Sequence, residues 1–293
     1  MKVAVVGFGL MGRQIAQVFA QYGNIVKATD ENPQALATGL DEIARGPYGI
    51  DKAVARGKIT AEEGSRAISA VKTFSTIEET CKDVDLVVEA VYEDEDLKQR
   101  VLNRIDSVAP VGSILASNTS TLSITRISRN VQKKERIVGM HFFNPAQITK
   151  LVEIVKGEQT TSSTVQEASR IAERIGKTPI VTRDEPGFVA NRLGLSLYVE
   201  ASRLLEEGTA TVGDIDLAMK LGYNHPMGPF ETADIVGLDT RLRNLEALFR
   251  QTNDEKWIPP KSLREMVNDG YLGDPSRRPG SRGGYYYRTG SKS

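Results

Sequence analysis

Two histidines stand in a chain of 293 residues, His141 and His225, so the choice of an imidazole base is narrow. His141 follows the apolar run Arg136-Ile137-Val138-Gly139-Met140, and further on Glu153 is set inside Leu151-Val152-Glu153-Ile154-Val155. A carboxylate within an apolar strand is costly to bury alone, so Glu153 needs a partner. A histidine oriented by a carboxylate is a recurring acid/base pair, because the anion fixes the imidazole tautomer and stabilises its charged form. The competing reading is a histidine packed at a strand end. His225 falls in the turn-rich Asn224-His225-Pro226-Met227-Gly228-Pro229, where a structural role is the simpler reading.

Two further polar groups follow apolar runs. Ser113-Ile114-Leu115-Ala116 reads as a strand that delivers Ser117-Asn118-Thr119-Ser120-Thr121. Such a run supplies hydroxyl and amide donors to a site, or it caps a helix. Asp85 to Val91 reads as another strand, with Glu93 and Lys98 just past its carboxyl end. Those charges either line a crevice at the strand ends, where open α/β sheets bind ligands, or belong to a solvated helix start.

The elements that must position these groups begin at the N-terminus. Lys2 to Val6 reads as a buried parallel strand, Gly7-Phe8-Gly9-Leu10-Met11-Gly12 as a tight turn, and Ile15, Val18, Phe19 and Tyr22 recur at helical spacing. Strand, glycine-rich turn and helix form a dinucleotide cradle: Gly7 permits the turn, Gly9 lets a pyrophosphate approach the backbone, and Gly12 allows the helix to pack closely on the strand. The free amides of the helix start face the phosphates. A second apolar run ends in Asp30, near the spacing of a carboxylate that holds the adenosine ribose. Glu31, Asn32 and Pro33 follow it with no arginine, which favours NAD over NADP.

From about residue 33 to 70 the chain reads as two helices interrupted at Gly46-Pro47-Tyr48-Gly49. An insertion of this size between strands either covers a ligand or a partner, or is a solvated excursion. Short strands are expected at Lys72 to Ser75 and Pro179 to Thr182, with helices at Glu95 to Val108 and Thr164 to Ile175. Strand-like runs stop near Asp184-Glu185-Pro186-Gly187. The expectation is therefore an α/β architecture: a Rossmann-type, mostly parallel sheet domain over residues 1–184, then an all-α C-terminal domain over 185–293. The apolar Leu193, Leu195, Leu197, Leu204 and Leu205 serve a helical core or a dimer face. The tail from Gly270, rich in Gly, Pro and Arg, is expected to be irregular and partly mobile.

Composition narrows the classes. With 38 basic and 38 acidic residues the net charge is zero, which gives no reason to expect nucleic acid or a membrane surface as partner. One cysteine, Cys81, excludes an intrachain disulfide and suits a reducing cytosol. No run approaches a membrane span and no metal-ligand cluster stands out, so a soluble, cytoplasmic protein without a metal is expected.

Taken together, the glycine turn, Ser117-Asn118-Thr119-Ser120, His141-Phe142-Phe143-Asn144-Pro145, Lys150-Leu151-Val152-Glu153, Pro186-Gly187-Phe188-Val189-Ala190-Asn191-Arg192 and His225-Pro226-Met227-Gly228-Pro229 carry a resemblance. Over nearly the whole chain the sequence resembles the 3-hydroxyacyl-CoA dehydrogenase family, especially its short 3-hydroxybutyryl-CoA members. The resemblance implies a homodimer, built through the helical domain, that binds NAD on the first domain and an acyl-CoA thioester between the domains. It implies that His141 takes the 3-hydroxyl proton of an (S)-3-hydroxyacyl-CoA, that Glu153 orients it, and that Ser120 and Asn191 hold the substrate. Cofactor contacts would come from Gly7, Gly9, Leu10, Met11, Gly12, Asp30, Glu93 and Lys98. The segment from Ala44 to Lys52 departs from the family's CoA-gripping pattern, leaving Lys52 and Arg56 as candidate phosphate contacts. The Arg- and Tyr-rich ending also departs from it.

Three rivals share features of this reading. A dehydrogenase of a free hydroxy acid or sugar acid such as gulonate uses the same framework. The 3-hydroxyisobutyrate and 6-phosphogluconate type shares the glycine turn but calls for a catalytic lysine, which Gly187 to Arg192 lacks. A non-catalytic NAD-binding protein has no need of His141 and Glu153.

Overall fold

In a computed structural model that describes residues 1–288, the chain divides into two compact units, one from Met1 to Phe188 and one from Val189 onward. The first unit is built on eight strands: β1 (Lys2–Val6), β2 (Ile25–Thr29), β3 (Val71–Thr73), β4 (Leu86–Glu89), β5 (Ile114–Ser117), β6 (Ile137–Phe142), β7 (Leu151–Lys156) and β8 (Thr178–Arg183). They form one sheet in the order β3-β2-β1-β4-β5-β6-β7-β8. From β3 to β6 every pairing is parallel; β7 runs antiparallel to β6, and β8 follows β7.

The continuous apolar character of the inner strands follows from burial on both faces. Val3, Val5, Leu86 and Val88 feed one core, while Ala4, Val6, Val87 and Leu115 feed the other. Helix α1 (Leu10–Gln21) covers the first face with Ile15, Ala16 and Phe19. Below β4 and β5 lie α5 (Ile77–Cys81), α6 (Glu95–Val108) and α7 (Ile124–Ile127), and α8 (Ser162–Arg174) returns to the first face. Strand order reverses between β1 and β4, so the crevice at their carboxyl ends is the switch point where such sheets bind ligands.

The insertion holds three helices where two were expected: α2 (Pro33–Arg45), α3 (Ile50–Ala55) and α4 (Ala61–Ser69). Asn32 caps α2 ahead of Pro33, and Thr60 and Glu63 make a reciprocal capping box that starts α4. Between them Ile50, fully buried, holds the single turn and a half of α3 on the core shared with Ile43 and Ala67. A six-residue helix has too short a pattern to announce itself, so its existence depends on that packing.

Around Asp184, where strand patterning stops, the chain is bound into the first unit. Its carboxylate accepts from Ser123 Oγ at 2.7 Å and from the amides of Ile124 and Thr125 at 2.8 Å, closing the N-terminus of α7.

The second unit is helical: α9 (Ala190–Glu206), α10 (Val212–Gly222), α11 (Pro229–Val236), α12 (Leu238–Thr252), α13 (Lys261–Asn268) and α14 (Tyr285–Arg288). Tyr198, Phe230, Leu245, Trp257 and Tyr285 make its core. From Gly270 to Gly284 the tail is irregular, as expected, made of turns and one isolated bridge, but long-range hydrogen bonds tie it and the start of α14 to the helical core. Gly273 bridges Gly283, the Asp234 carboxylate accepts from the amides of Tyr285 and Tyr286, and Asp216 accepts from the Tyr286 hydroxyl at 2.7 Å. Aspartates on α10 and α11 thus hold a Gly- and Arg-rich stretch that has no regular structure of its own. The last residues, 289–293, for which the same irregularity was expected, lie outside the described residues.

Candidate functional site

At the glycine turn two positions are closed to any side chain by the protein itself. Gly7 adopts φ +91°, and a Cβ there would stand 2.7 Å from the Ala90 carbonyl and the Val91 nitrogen. A Cβ on Gly12 would stand 1.9 Å from the Gly7 carbonyl oxygen. Gly9 differs: a Cβ there would meet no protein atom within 4 Å. Packing therefore does not demand a glycine at position 9, and the space beside it is open. Gly9 is the N-cap of α1 and no side chain caps that helix, so the first amides, from Leu10, Met11 and Gly12, are available to an anion. Leu10 is half exposed at the mouth and Met11 half buried. These features fit a dinucleotide pyrophosphate.

Asp30 stands at the end of β2 with one carboxylate oxygen accepting from the Phe8 amide at 2.6 Å and the other from the Asn32 amide at 2.8 Å. Its carboxylate thus braces the glycine turn. Asn32, next along, is occupied in capping α2, and no cation follows it closely.

Glu93 and Lys98 are brought together, but not side by side in the crevice. Lys98 is 1% exposed; its ammonium donates to Glu89 Oε1 at 2.8 Å and to the Val91 carbonyl at 3.2 Å, and pairs with Glu93 at 3.3 Å. Burial opposes its charge, yet the Glu89 and Glu93 carboxylates outweigh that and hold its pKa above the usual lysine value. Glu93 stands nearer the surface. Burial pushes its pKa up, and Lys98, the Thr119 hydroxyl and the amides of Ser120 and Thr121 more than reverse this, leaving it below the ordinary glutamate value. The same carboxylate accepts from Ser120 N at 2.9 Å and Ser120 Oγ at 3.3 Å, so it shapes the loop that presents Ser120. Glu89, fully buried and opposite Ser117 in the β4–β5 register, also accepts from the Ser117 hydroxyl at 2.6 Å. Sequence patterning read Glu89 only as part of a strand; its sign is a carboxylate inside an apolar run.

His141 and Glu153 face each other directly. In the antiparallel β6–β7 pairing they are register partners, and His141 Nδ1 lies 2.7 Å from Glu153 Oε2. Both are buried. With Glu153 ionised the carboxylate only accepts, which places the proton on Nδ1 and leaves the Nε2 lone pair as acceptor. The rings of Phe143 and Phe188 lie 4.3 and 5.9 Å from the imidazole. Phe188 holds φ +49°, a left-handed backbone that is uncommon for a bulky residue, and its ring joins the core under β5 and β6. Asn118, from the Ser-Asn-Thr-Ser run, accepts from the Phe142 amide at 2.9 Å and ties the end of β5 to the end of β6 beside His141.

Three further nominated residues lie on other elements. Asn191 lies in the first turn of α9, in the second unit. Lys52 on α3 and Arg56 at its end are exposed on the insertion, and among the described residues neither makes an ion pair. Among the described residues no group of three His, Cys, Asp or Glu could hold a metal, and no helix is long and apolar enough to cross a membrane.

Comparison with known proteins follows the division of the chain. The family model for the 3-hydroxyacyl-CoA dehydrogenase NAD binding domain matches residues 2–185, and that for the 3-hydroxyacyl-CoA dehydrogenase C-terminal domain matches 187–282. The hydroxyacyl-coenzyme A dehydrogenase of Sus scrofa mitochondria is 40% identical over 275 residues, 92% of this chain and 87% of that protein. The 3-hydroxybutyryl-CoA dehydrogenase of Bradyrhizobium diazoefficiens is 36% identical over 291 residues, covering 99% and 96%. Among solved structures, (S)-3-hydroxybutyryl-CoA dehydrogenase from Ralstonia eutropha is similar at TM-score 0.88 and 38% identity, covering 94% of this chain and 96% of that one.

Proposed function

The chain belongs to the 3-hydroxyacyl-CoA dehydrogenase family, and on that premise we propose how its residues carry out the NAD-dependent interconversion of an (S)-3-hydroxyacyl-CoA and the 3-oxoacyl-CoA. His141 is the base. Its Nε2 takes the proton of the 3-hydroxyl, while Glu153 holds the tautomer through Nδ1 and stabilises the imidazolium that results. NAD, when bound, supplies the acceptor for the hydride of carbon 3, and that chemistry is the cofactor's own. Ser120 and Asn191 hydrogen-bond the substrate oxygen, and in the reverse direction the same donors and the charged His141 stabilise the developing alkoxide.

Gly7, Gly9, Leu10, Met11 and Gly12 hold the pyrophosphate, Asp30 the adenosine ribose, and Glu93 contacts the cofactor with Lys98 behind it as counter-charge. Lys52 and Arg56 meet the phosphates of CoA. The observation that carries the reading is the His141–Glu153 pair, a buried imidazole with Nδ1 2.7 Å from a buried carboxylate. A homodimer through the helical unit is supported by Leu193, Leu221 and Tyr223, which are 68%, 77% and 74% exposed.

Acetoacetyl-CoA with NADH, run beside free acetoacetate with NADH and gulonate with NAD, tests the substrate. Oxidation of NADH by the thioester alone is the expected result. Turnover of the free acids with none of the thioester over a range of acyl lengths would overturn it.

A further inference from the structure

Helix α1 buries two glutamines on the face it turns to the core, Gln14 at 6% and Gln17 at 1% exposure, among Ile15, Val18 and Phe19. A buried primary amide is destabilising unless both its ends are used. Gln14 uses both on one loop: its Oε1 accepts from the Ala146 amide at 2.7 Å and its Nε2 donates to Asn144 Oδ1 at 3.0 Å. Gln17 spans two segments, donating to the Tyr48 carbonyl at 2.8 Å and accepting from Gln147 at 2.8 Å.

The orientation of these amides follows from chemistry. The Ala146 N–H can only donate, so the Gln14 atom facing it is the oxygen; the Gln14 nitrogen then faces Asn144, and the Asn144 atom that meets it is Oδ1. The Asn144 NH2 is consequently turned the other way. Asn144 is exposed, three residues beyond His141, at the carboxyl end of β6 and against the helix that begins at the glycine turn. We propose that Gln14 is a positioning residue: it locks the Asn144 side chain so that its NH2 group is offered to an acceptor on the dinucleotide bound in this crevice. The assignment rests on reading the crevice as the NAD site, and it makes the nucleotide-binding helix itself the part that orients a donor three residues beyond His141.

Gln14→Glu separates the two ends of the amide. A glutamate there still accepts from Ala146 but cannot donate, so Asn144 must turn its NH2 inward and present its oxygen to the crevice. The test is a fluorescence titration of NADH on the full chain, with unfolding midpoints recorded for each variant. Asn144→Ala is expected to weaken NADH binding about fivefold to tenfold, the loss of one hydrogen bond, and Gln14→Glu to do the same. The double variant is expected to bind no more weakly than Asn144→Ala alone. If Gln14→Glu does not fold, Gln14→Met, uncharged and similar in length, takes its place with the same expected non-additivity. Wild-type affinity in the Gln14 variant, full additivity in the double variant, or an unchanged NADH affinity in Asn144→Ala would each overturn the proposal. Failure of the proposed reaction is read separately, as absent turnover in the wild-type protein, which the titration does not use.

Discussion

At the scale of single residues the account turns on which nitrogen of His141 is basic. Glu153 sits opposite it in register and its carboxylate accepts a hydrogen bond from Nδ1–H, so replacing the carboxylate by an amide lets the wrong tautomer compete. Glu153→Gln is expected to lower kcat about 10²-fold or more with little change in NADH affinity, measured by steady-state kinetics and titration. Both residues could be picked out from sequence, because each interrupts or ends an apolar run; their direct opposition could not, since register depends on the loop of residues 143–150. Gln14 and Gln17 were hidden for another reason. A glutamine on a helix ordinarily reads as surface, and only the loops they hold show why two amides lie on the buried face. Cys81 gives a residue-scale check of the packing beneath β1: burial pushes its thiol up to about 12, so a disulfide reagent should leave it unmodified at neutral pH until the protein is unfolded. Rapid labelling of the native chain would contradict that packing.

Among the elements, the strand-turn-helix unit makes the sharpest prediction, because its glycines are required for different reasons. Gly12→Ala sets a Cβ 1.9 Å from the Gly7 carbonyl and must move α1 off β1, so both the unfolding midpoint and NADH binding should fall. Gly9→Ala meets no protein atom. It should leave stability within about 0.5 kcal/mol, as open surface sites do, while weakening NADH binding about tenfold or more, ~1.4 kcal/mol. Equal loss of stability in both variants would mean that Gly9 is structural.

The end of β4 carries a second element-scale test. Lys98→Met leaves Glu89 and Glu93 without their buried counter-charge, and removing one partner of such a set destabilises by about 3–5 kcal/mol, readable in denaturant unfolding. The sign of the pH dependence follows from the two shifts. Glu93 is depressed, so its contribution is present above its unfolded pKa and lost as pH falls through the folded one; Lys98 is raised, so its contribution is present below its unfolded pKa and lost as pH rises through the folded one. The network thus stabilises across the neutral range and weakens at both extremes. The sequence supplied the position of both charges at a strand end, but their division into a buried cation and a loop-shaping carboxylate depends on Glu89, which the apolar run concealed.

On the scale of the whole molecule, alternating strands and helices followed by helices alone were enough to anticipate a sheet unit and a helical unit. The third insertion helix and the hydrogen bonds that tie down the irregular tail were not anticipated, because each depends on groups distant in sequence: the core around Ile43 and Ile50, and the carboxylates of Asp216 and Asp234. Leu221, highly exposed on α10, is the residue to change for the proposed dimer. Leu221→Arg should shift the sedimentation coefficient from dimer toward monomer without changing the unfolding of the monomer; a wild-type protein that sediments as a monomer at high concentration would remove the dimer from the account. The most direct test of the central claim is His141→Ala assayed with acetoacetyl-CoA and NADH, with NADH affinity titrated in parallel. The account predicts near-wild-type NADH binding and a fall in kcat of about 10²- to 10⁴-fold; turnover close to wild type in that variant would contradict it.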